Sequence, residues 1–267
     1  MTRRIDALIV EDEPVVREAA RKILLEEDLS VATANDVDGA VAILQNTQCR
    51  IVLSDLMLPG VSGFALLELI RNRWPGTEVV VITGYATLEN ALTTFQKGAF
   101  DFVAKPFDIG ELLGVVRRAL RFSTKKPELQ TFSPGTPTSR ITDEPQERCF
   151  FLGRHSWARL HSDGSATLGV AETFPHLLGE IDRVELPARE ERSTQGKLFA
   201  RILTPGEIIY RIWSPLSGIV LAANERLLGS IDLIDRDPFG EGWLIRIIPD
   251  NLDRELDLLD QRRLQME

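Results

Sequence analysis

Residues 51–71 read IVLSDLMLPGVSGFALLELIR. Ile51–Ser54 is a short apolar run that ends at an acidic residue, Asp55, and Phe64–Arg73 carries apolar residues three and four apart, the helical period. The same strand-then-helix unit recurs on either side. Ala7–Val10, Val31–Ala34, Val79–Thr83 and Phe100–Ala104 read as strands, and Val15–Glu26, Val37–Gln45, Leu88–Gln96 and Ile109–Arg121 as helices. Five units in strict alternation predict a parallel sheet with helices on both faces.

The polar residues of this half gather at strand ends. Glu11 and Asp12 follow the first strand, Asp55 the third, Thr83 ends the fourth and Lys105 follows the fifth. In a parallel sheet all of these lie at the carboxyl edge, where open α/β folds bind ligands. Three carboxylates held together repel and resist ionisation unless a divalent cation sits among them. Oxygen-only ligands with room for water suit Mg²⁺. A lysine at the same edge can neutralise a phosphoryl group, and a threonine hydroxyl can donate to one of its oxygens. Asp55 is then the natural nucleophile, because carboxylates form acyl phosphates.

The segments LIVEDEPVVRE (8–18), IVLSDLMLPGVSGFALLELIR (51–71), VVVITGYATLENAL (79–92) and KGAFDFVAKPFD (97–108) resemble the receiver domain of two-component response regulators. They are most similar to receivers attached to nitrogen-regulation-type transcriptional activators. The resemblance covers residues 1–122 and implies a flavodoxin-like, doubly wound five-stranded sheet of order 2-1-3-4-5. It also implies Asp55 as phosphoacceptor, with Glu11, Asp12, Asp55 and the backbone carbonyl of Met57 as Mg²⁺ ligands. Thr83 falls on the switch hydroxyl, Phe102 on the aromatic switch position, and Lys105, followed by Pro106, on the phosphate-contacting lysine. Glu11 in place of a first Asp keeps an oxygen ligand. Phe102 lacks a tyrosine hydroxyl, so it can turn in or out without a hydrogen bond in either state. Met57 places no polar side chain beside a water attacking phosphoaspartate, which points to a slowly hydrolysing state.

From Ser123 the texture changes. Residues 123–147 are rich in Pro, Ser, Thr and charge with no apolar periodicity, and read as a linker rather than a long structured loop. Residues 148–267 turn to short strands: Trp157–His161, Ala166–Val170, Arg183–Leu186, Leu198–Leu203, Glu207–Trp213, Gly218–Ala222 and Trp243–Ile248, with Asp-Gly and Pro-Gly signals between them. An amphipathic helix is expected over Asn251–Leu264. The segments HSW (155–157), ATLGVAETFPHLLGEIDRVELP (166–187), WSPLSGIV (213–220) and DRDPFGEGWLIRI (235–247) resemble the H protein of the glycine cleavage system, a lipoyl carrier. The resemblance implies a mostly-β barrel or sandwich. In that family a lysine at a hairpin tip carries lipoate, at a fixed distance before the Ser-Pro-x-Ser-Gly turn. Counted back from Gly218, that position is Glu207, and neither Gly206 nor Ile208 beside it offers an amine. Lys197, the single lysine of this half, starts the preceding strand and reads as a solvated turn residue. No lipoate is expected, and the fold reads as a binding module.

The net charge is −9; residues 1–122 hold 13 basic and 17 acidic residues, and residues 148–267 hold 15 and 19. Neither half offers the basic footprint of a nucleic-acid binder. Cys49 and Cys149 form no Cys-x-x-Cys, which argues against a zinc cluster or disulfide framework. His155, His161 and His176 read as surface or strand histidines, Trp157, Trp213 and Trp243 as core, and Trp74 as the cap of a helix. The apolar run near the start is too short for a signal peptide and no 18-residue apolar stretch occurs, so no membrane is expected and the location reads as cytoplasmic. The expected function is that of a response regulator, not itself an enzyme. Its expected partners are a sensor histidine kinase, an unidentified protein bound by the second half, and a second copy through the receiver. The alternatives are a transcription regulator, which needs a helix-turn-helix, and a phosphorylation-controlled lipoyl carrier, which needs a lysine at 207.

Overall fold

The computed structural model describes residues 3–84, 88–130, 148–171, 180–205 and 208–263. The chain separates into two units, residues 1–124 and 125–267. The first contains strands β1 (Arg3–Val10), β2 (Val31–Ala34), β3 (Thr47–Asp55), β4 (Glu78–Thr83) and β5 (Asp101–Ala104), alternating with helices α1 (Pro14–Leu25), α2 (Val37–Asn46), α3 (Gly63–Arg73), α4 (Leu88–Gln96) and α5 (Ile109–Gln130). The strands form one parallel sheet of order β2-β1-β3-β4-β5, the flavodoxin-like order expected from the sequence. Every residue of β4 and the last five of β3 are buried, which is why these central strands read as unbroken apolar runs.

Helix starts follow local chemistry. Pro14 occupies the first turn of α1, the Asp36 carboxylate accepts from Gly39 N at 2.7 Å to cap α2, and the Ser62 hydroxyl accepts from Phe64 N at 3.2 Å to cap α3. Trp74 ends α3 as expected, its N–H donating to Ile70 O at 2.7 Å. Helix α5 runs on to Gln130, past Ser123 where the linker was expected to begin. As far as Thr124 the helix is held by Arg50 of β3. Its guanidinium donates to Leu120 O at 2.8 Å, Thr124 Oγ1 at 2.6 Å and Ser123 Oγ at 3.3 Å, and pairs with Asp6 at 3.0 Å. Ser123 and Thr124 therefore belong to the first unit. Residues 131–147 of the expected linker lie outside the described residues.

The second unit contains a seven-stranded sheet of order β10-β13-β14-β8-β7-β6-β15 and a three-stranded sheet, β12-β11-β9, all described pairs being antiparallel. Here β6 is Arg148–Leu152, β7 Ser156–Leu160, β8 Ala166–Val170, β9 Arg183–Glu185, β10 Arg192–Ser193, β11 Leu198–Thr204, β12 Ile208–Trp213, β13 Gly218–Ala223, β14 Ile245–Pro249 and β15 Asp260–Arg263. Strands β6, β10 and β15 were not expected from the sequence. The closing helix is shorter than the expected Asn251–Leu264: it spans Leu252–Leu256, and the chain then pairs as β15 with β6. Pairing with the β6 edge overrides the helical spacing of the leucines.

Trp157 is fully buried and lies opposite Gly169 on β8, where a Cβ would come within 2.4 Å of the indole, so only glycine lets the ring cross the strand. Phe239 packs 5.6 Å from Trp157 and 6.0 Å from Phe151 between ring centres. Trp243 is partly buried against the same cluster, and Trp213 is buried. His155 is a correction: it sits in the turn before β7 and is buried. His161 is bonded to Thr167 Oγ1 at 2.6 Å, and His176 lies outside the described residues. Both cysteines are buried and free. No helix among the described residues is long and apolar enough to cross a membrane.

Candidate functional site

The ends of β1, β3, β4 and β5 converge at the carboxyl edge of the parallel sheet. Register places Asp55 beside Ile82 and Thr83 beside Ala104, so Asp55, Thr83 and Lys105 lie at one level. One carboxylate oxygen each from Glu11, Asp12 and Asp55 falls within 4.8 Å of the others. Lys105 Nζ reaches Glu11 Oε2 at 2.6 Å and Asp55 Oδ2 at 2.7 Å, with Glu13 Oε1 at 3.8 Å. Glu11 and Asp55 are buried, whereas Asp12 reaches solvent.

Charge crowding acts on the side chains themselves. Burial pushes the Glu11 carboxyl above its ordinary value, the Lys105 contact pulls it down, and the Asp55 charge pushes it up again; the net shift is upward. Burial works against the Lys105 ammonium, but the Asp55 and Glu11 contacts outweigh it and hold its pKa above the usual lysine value. Three carboxylates against one buried cation leave a negative surplus. An all-oxygen donor set with one solvent-facing member fits Mg²⁺, and Glu11, Asp12 and Asp55 are the side chains that would hold it.

Asp55 Oδ1 accepts from Met57 N at 3.1 Å, which places the backbone of Met57 against the Asp55 carboxylate, and Met57 is 57% exposed. Thr83 is buried, and its carbonyl accepts from Lys105 N at 2.8 Å, tying β4 to the loop that carries the lysine. Phe102 faces inward, buried and edge-on to Phe95 with ring centres 5.8 Å apart. Glu207 lies outside the described residues. Lys197 is exposed and sits in the turn before β11, its N–H bonded to Thr194 O at 3.0 Å.

Three neighbours of the site escaped the sequence reading. Gly63 starts α3 with its N–H on Leu56 O at 2.9 Å, and a Cβ there would stand 2.0 Å from Asp55 O. The glycine in PGVSG was a legible signal for this close approach. Glu13 gave no signal beyond charge. Arg17 of α1 donates from one nitrogen to Glu11 O at 2.6 Å and Asp12 O at 3.1 Å.

Both halves of the chain are similar to known protein families. Residues 7–117 match the family model of the response regulator receiver domain, and residues 149–266 that of the glycine cleavage H-protein, neither of which is a catalytic family. The response regulator protein PilR of Pseudomonas aeruginosa is 38% identical over 125 residues, which are 47% of this chain and 28% of that protein. The nitrogen assimilation regulatory protein NtrX of Azorhizobium caulinodans is 37% identical over 117 residues, 43% of this chain and 26% of that one. The chain thus spans about a quarter of the length of these relatives. Among solved structures, the receiver domain of NtrX from Brucella abortus is 38% identical, covering 43% of this chain and 98% of that one, with a TM-score of 0.42. The chain thus joins a segment that matches the response regulator receiver domain to one that matches the glycine cleavage H-protein.

Proposed function

We propose that Asp55 accepts a phosphoryl group from a sensor histidine kinase, and that its phosphorylation regulates the H-protein-like domain as a binding module for a protein partner. The observation that carries this reading is Lys105 Nζ lying between Glu11 and Asp55 with Asp12 alongside. The buried Asp55 carboxylate accepts from Met57 N on one oxygen and from Lys105 Nζ on the other, which leaves each oxygen a further lone pair to face an incoming phosphorus. Bound Mg²⁺ supplies neutralisation of the charge that builds up during transfer. Lys105 then shifts its hydrogen bonds to phosphoryl oxygens, and Thr83 is the hydroxyl at the same level that can follow them. Phe102, packed inward on Phe95, is the aromatic that responds. The exposed thioether of Met57 offers no hydrogen bond to an attacking water, which favours a long-lived phosphorylated state.

Glu207 in place of an amine-bearing residue supports a module that works without lipoate. The acidic balance of both halves supports a protein partner over nucleic acid, and pairing of receivers is a further proposed contact. A second reading, transcription regulation, is favoured by one observation: several relatives of the receiver are named DNA-binding transcriptional regulators. Incubation with a small phosphoryl donor and Mg²⁺ followed by intact-mass measurement tests the first step. One phosphoryl adduct is expected on the wild type and none on Asp55→Asn; an adduct that persists in Asp55→Asn overturns the assignment. Protein from a lipoate-competent host is expected to carry no lipoyl mass. Any such adduct revives the carrier reading, and phosphorylation-dependent retention on promoter DNA establishes the transcriptional one.

A further inference from the structure

We infer that Arg17 is a positioning residue for the carboxylate cluster, fixing the loop that presents Glu11 and Asp12 and thereby setting the affinity of the site for Mg²⁺. This rests on the reading of the site given above.

The loop from Glu11 to Glu13 leaves the sheet at the end of β1, where backbone groups lose their ladder partners. On one side Glu11 N donates to Ala34 O at 3.1 Å. The carbonyls of Glu11 and Asp12 both accept from Arg17 Nη1, at 2.6 and 3.1 Å. One nitrogen on two consecutive carbonyls fixes the orientation of both peptide planes, and so the direction in which each side chain leaves the backbone. Arg17 is itself anchored, because its backbone N–H donates to Glu13 O at 3.0 Å in the first turn of α1. The start of α1 lends the loop little other support, since Glu13 makes no side-chain cap and Pro14 brings no N–H. Glu13 N does donate to Glu11 Oε1 at 3.3 Å, so a rotation of the Glu11–Glu13 peptides would displace a ligand oxygen directly.

Charge alone predicts the opposite of what geometry predicts. Arg17 is a cation a few ångströms from a site for a cation, and by Coulomb's law its removal strengthens the pull on Mg²⁺. If the guanidinium orients the ligands, its removal weakens binding, because supports behind metal ligands are worth about 10–100-fold in affinity. The sign of the change separates the two.

Calorimetric titration of the full-length chain with MgCl₂ reads that sign. Arg17→Ala is expected to bind Mg²⁺ about tenfold more weakly than the wild type, with faster amide exchange over residues 11–16 in the metal-free protein. Arg17→Lys, which keeps the charge and one donor group, is expected to recover part of the loss. Unchanged or tighter binding by Arg17→Ala overturns the inference. Should that variant not fold, Arg17→Lys carries the test, since a lone ammonium on a shorter stem does not hold the same two carbonyls. Weaker binding by Arg17→Lys then supports the inference and equal binding overturns it. Asp55 labelling keeps the two readings apart. If Asp55 takes up phosphoryl normally while Arg17→Ala binds Mg²⁺ like the wild type, this inference alone fails. If Arg17→Ala weakens Mg²⁺ but Asp55 is never labelled, the phosphoacceptor reading alone fails. A wild type that takes up no Mg²⁺ removes both.

Discussion

Each unit holds a cluster of polar side chains in a largely buried setting, and the two are built to opposite ends. At the carboxyl edge of the first, Glu11, Asp55 and Glu13 all turn to one ammonium, Lys105, and negative charge is left in surplus. At the WSPLSG turn of the second, the hydrogen bonds close on one another. Ser193 Oγ meets Ser214 Oγ at 2.7 Å, Ser214 Oγ donates to Leu216 O at 2.7 Å, and Ser217 Oγ accepts from Gln195 N at 2.9 Å. Gln195 Nε2 donates to Pro215 O and Glu255 O, and Glu255 Oε2 accepts from Ser217 N at 2.7 Å. A cluster with unbalanced charge is held ready for an incoming group; a cluster closed on itself fastens a turn. The serines of WSPLSG therefore fasten the turn on which they lie.

The comparison is sharpest where a charged pair is closed within the first unit. Asp101 and Arg118 form an ion pair with both side chains almost fully buried; Asp101 also accepts from Phe102 N at 2.8 Å, and Arg118 lies over Phe100. Asp101→Ala strands a buried guanidinium, and urea unfolding is expected to show a loss of about 3–5 kcal/mol in the first unit. A loss below about 1 kcal/mol would make this pair a solvated one. In the second unit, Gln195→Ala is expected to cost about 1–3 kcal/mol by leaving buried acceptors unmet, with Asp55 labelling unaffected. Reduced labelling would contradict the division between open and closed clusters.

Glu11→Gln moves in the other direction. The Glu11 carboxyl titrates above its ordinary value of 4.5, so the folded state holds the proton more tightly than the unfolded one. Its ionisation therefore weakens the fold as pH rises through the folded-state value, and carries no penalty well below 4.5. The neutral amide is expected to stabilise the metal-free protein by about 1 kcal/mol at neutral pH, to lose that advantage in acid, and to bind Mg²⁺ more weakly. Destabilisation at neutral pH would show that the Lys105 contact outweighs burial. The smallest effect is expected at the thiols. Burial raises the Cys49 thiol to about 12, and Cys149 is fully buried, so iodoacetamide at about pH 8 is expected to leave both unmodified in the native chain. Rapid labelling of either would mean that its unit opens.

Much of the first unit was legible because its physics is local in sequence. Each strand of the parallel sheet is buried on both faces and reads as an apolar run, and each helix repeats every three or four residues. Once the alternation is read, topology brings Glu11, Asp12, Asp55, Thr83 and Lys105 to one edge without further information. That Ser123 and Thr124 belong to the first unit was not legible, since it depends on Arg50 reaching across to them from β3.

In the second unit the sequence determined the strand-rich character and the tight turns. What only the tertiary structure decided is how the segments pair. Asp260–Arg263 looks helical by spacing and becomes a strand because β6 offers a free edge; Gly169 is required because Trp157 lies across it. The carbonyls of Glu11 and Asp12, common to every residue type and invisible as a motif, acquire a role only where folding brings Arg17 onto them. Periodicity and residue chemistry are written along the chain, whereas contacts between a side chain and a distant backbone depend on the path the chain takes in space.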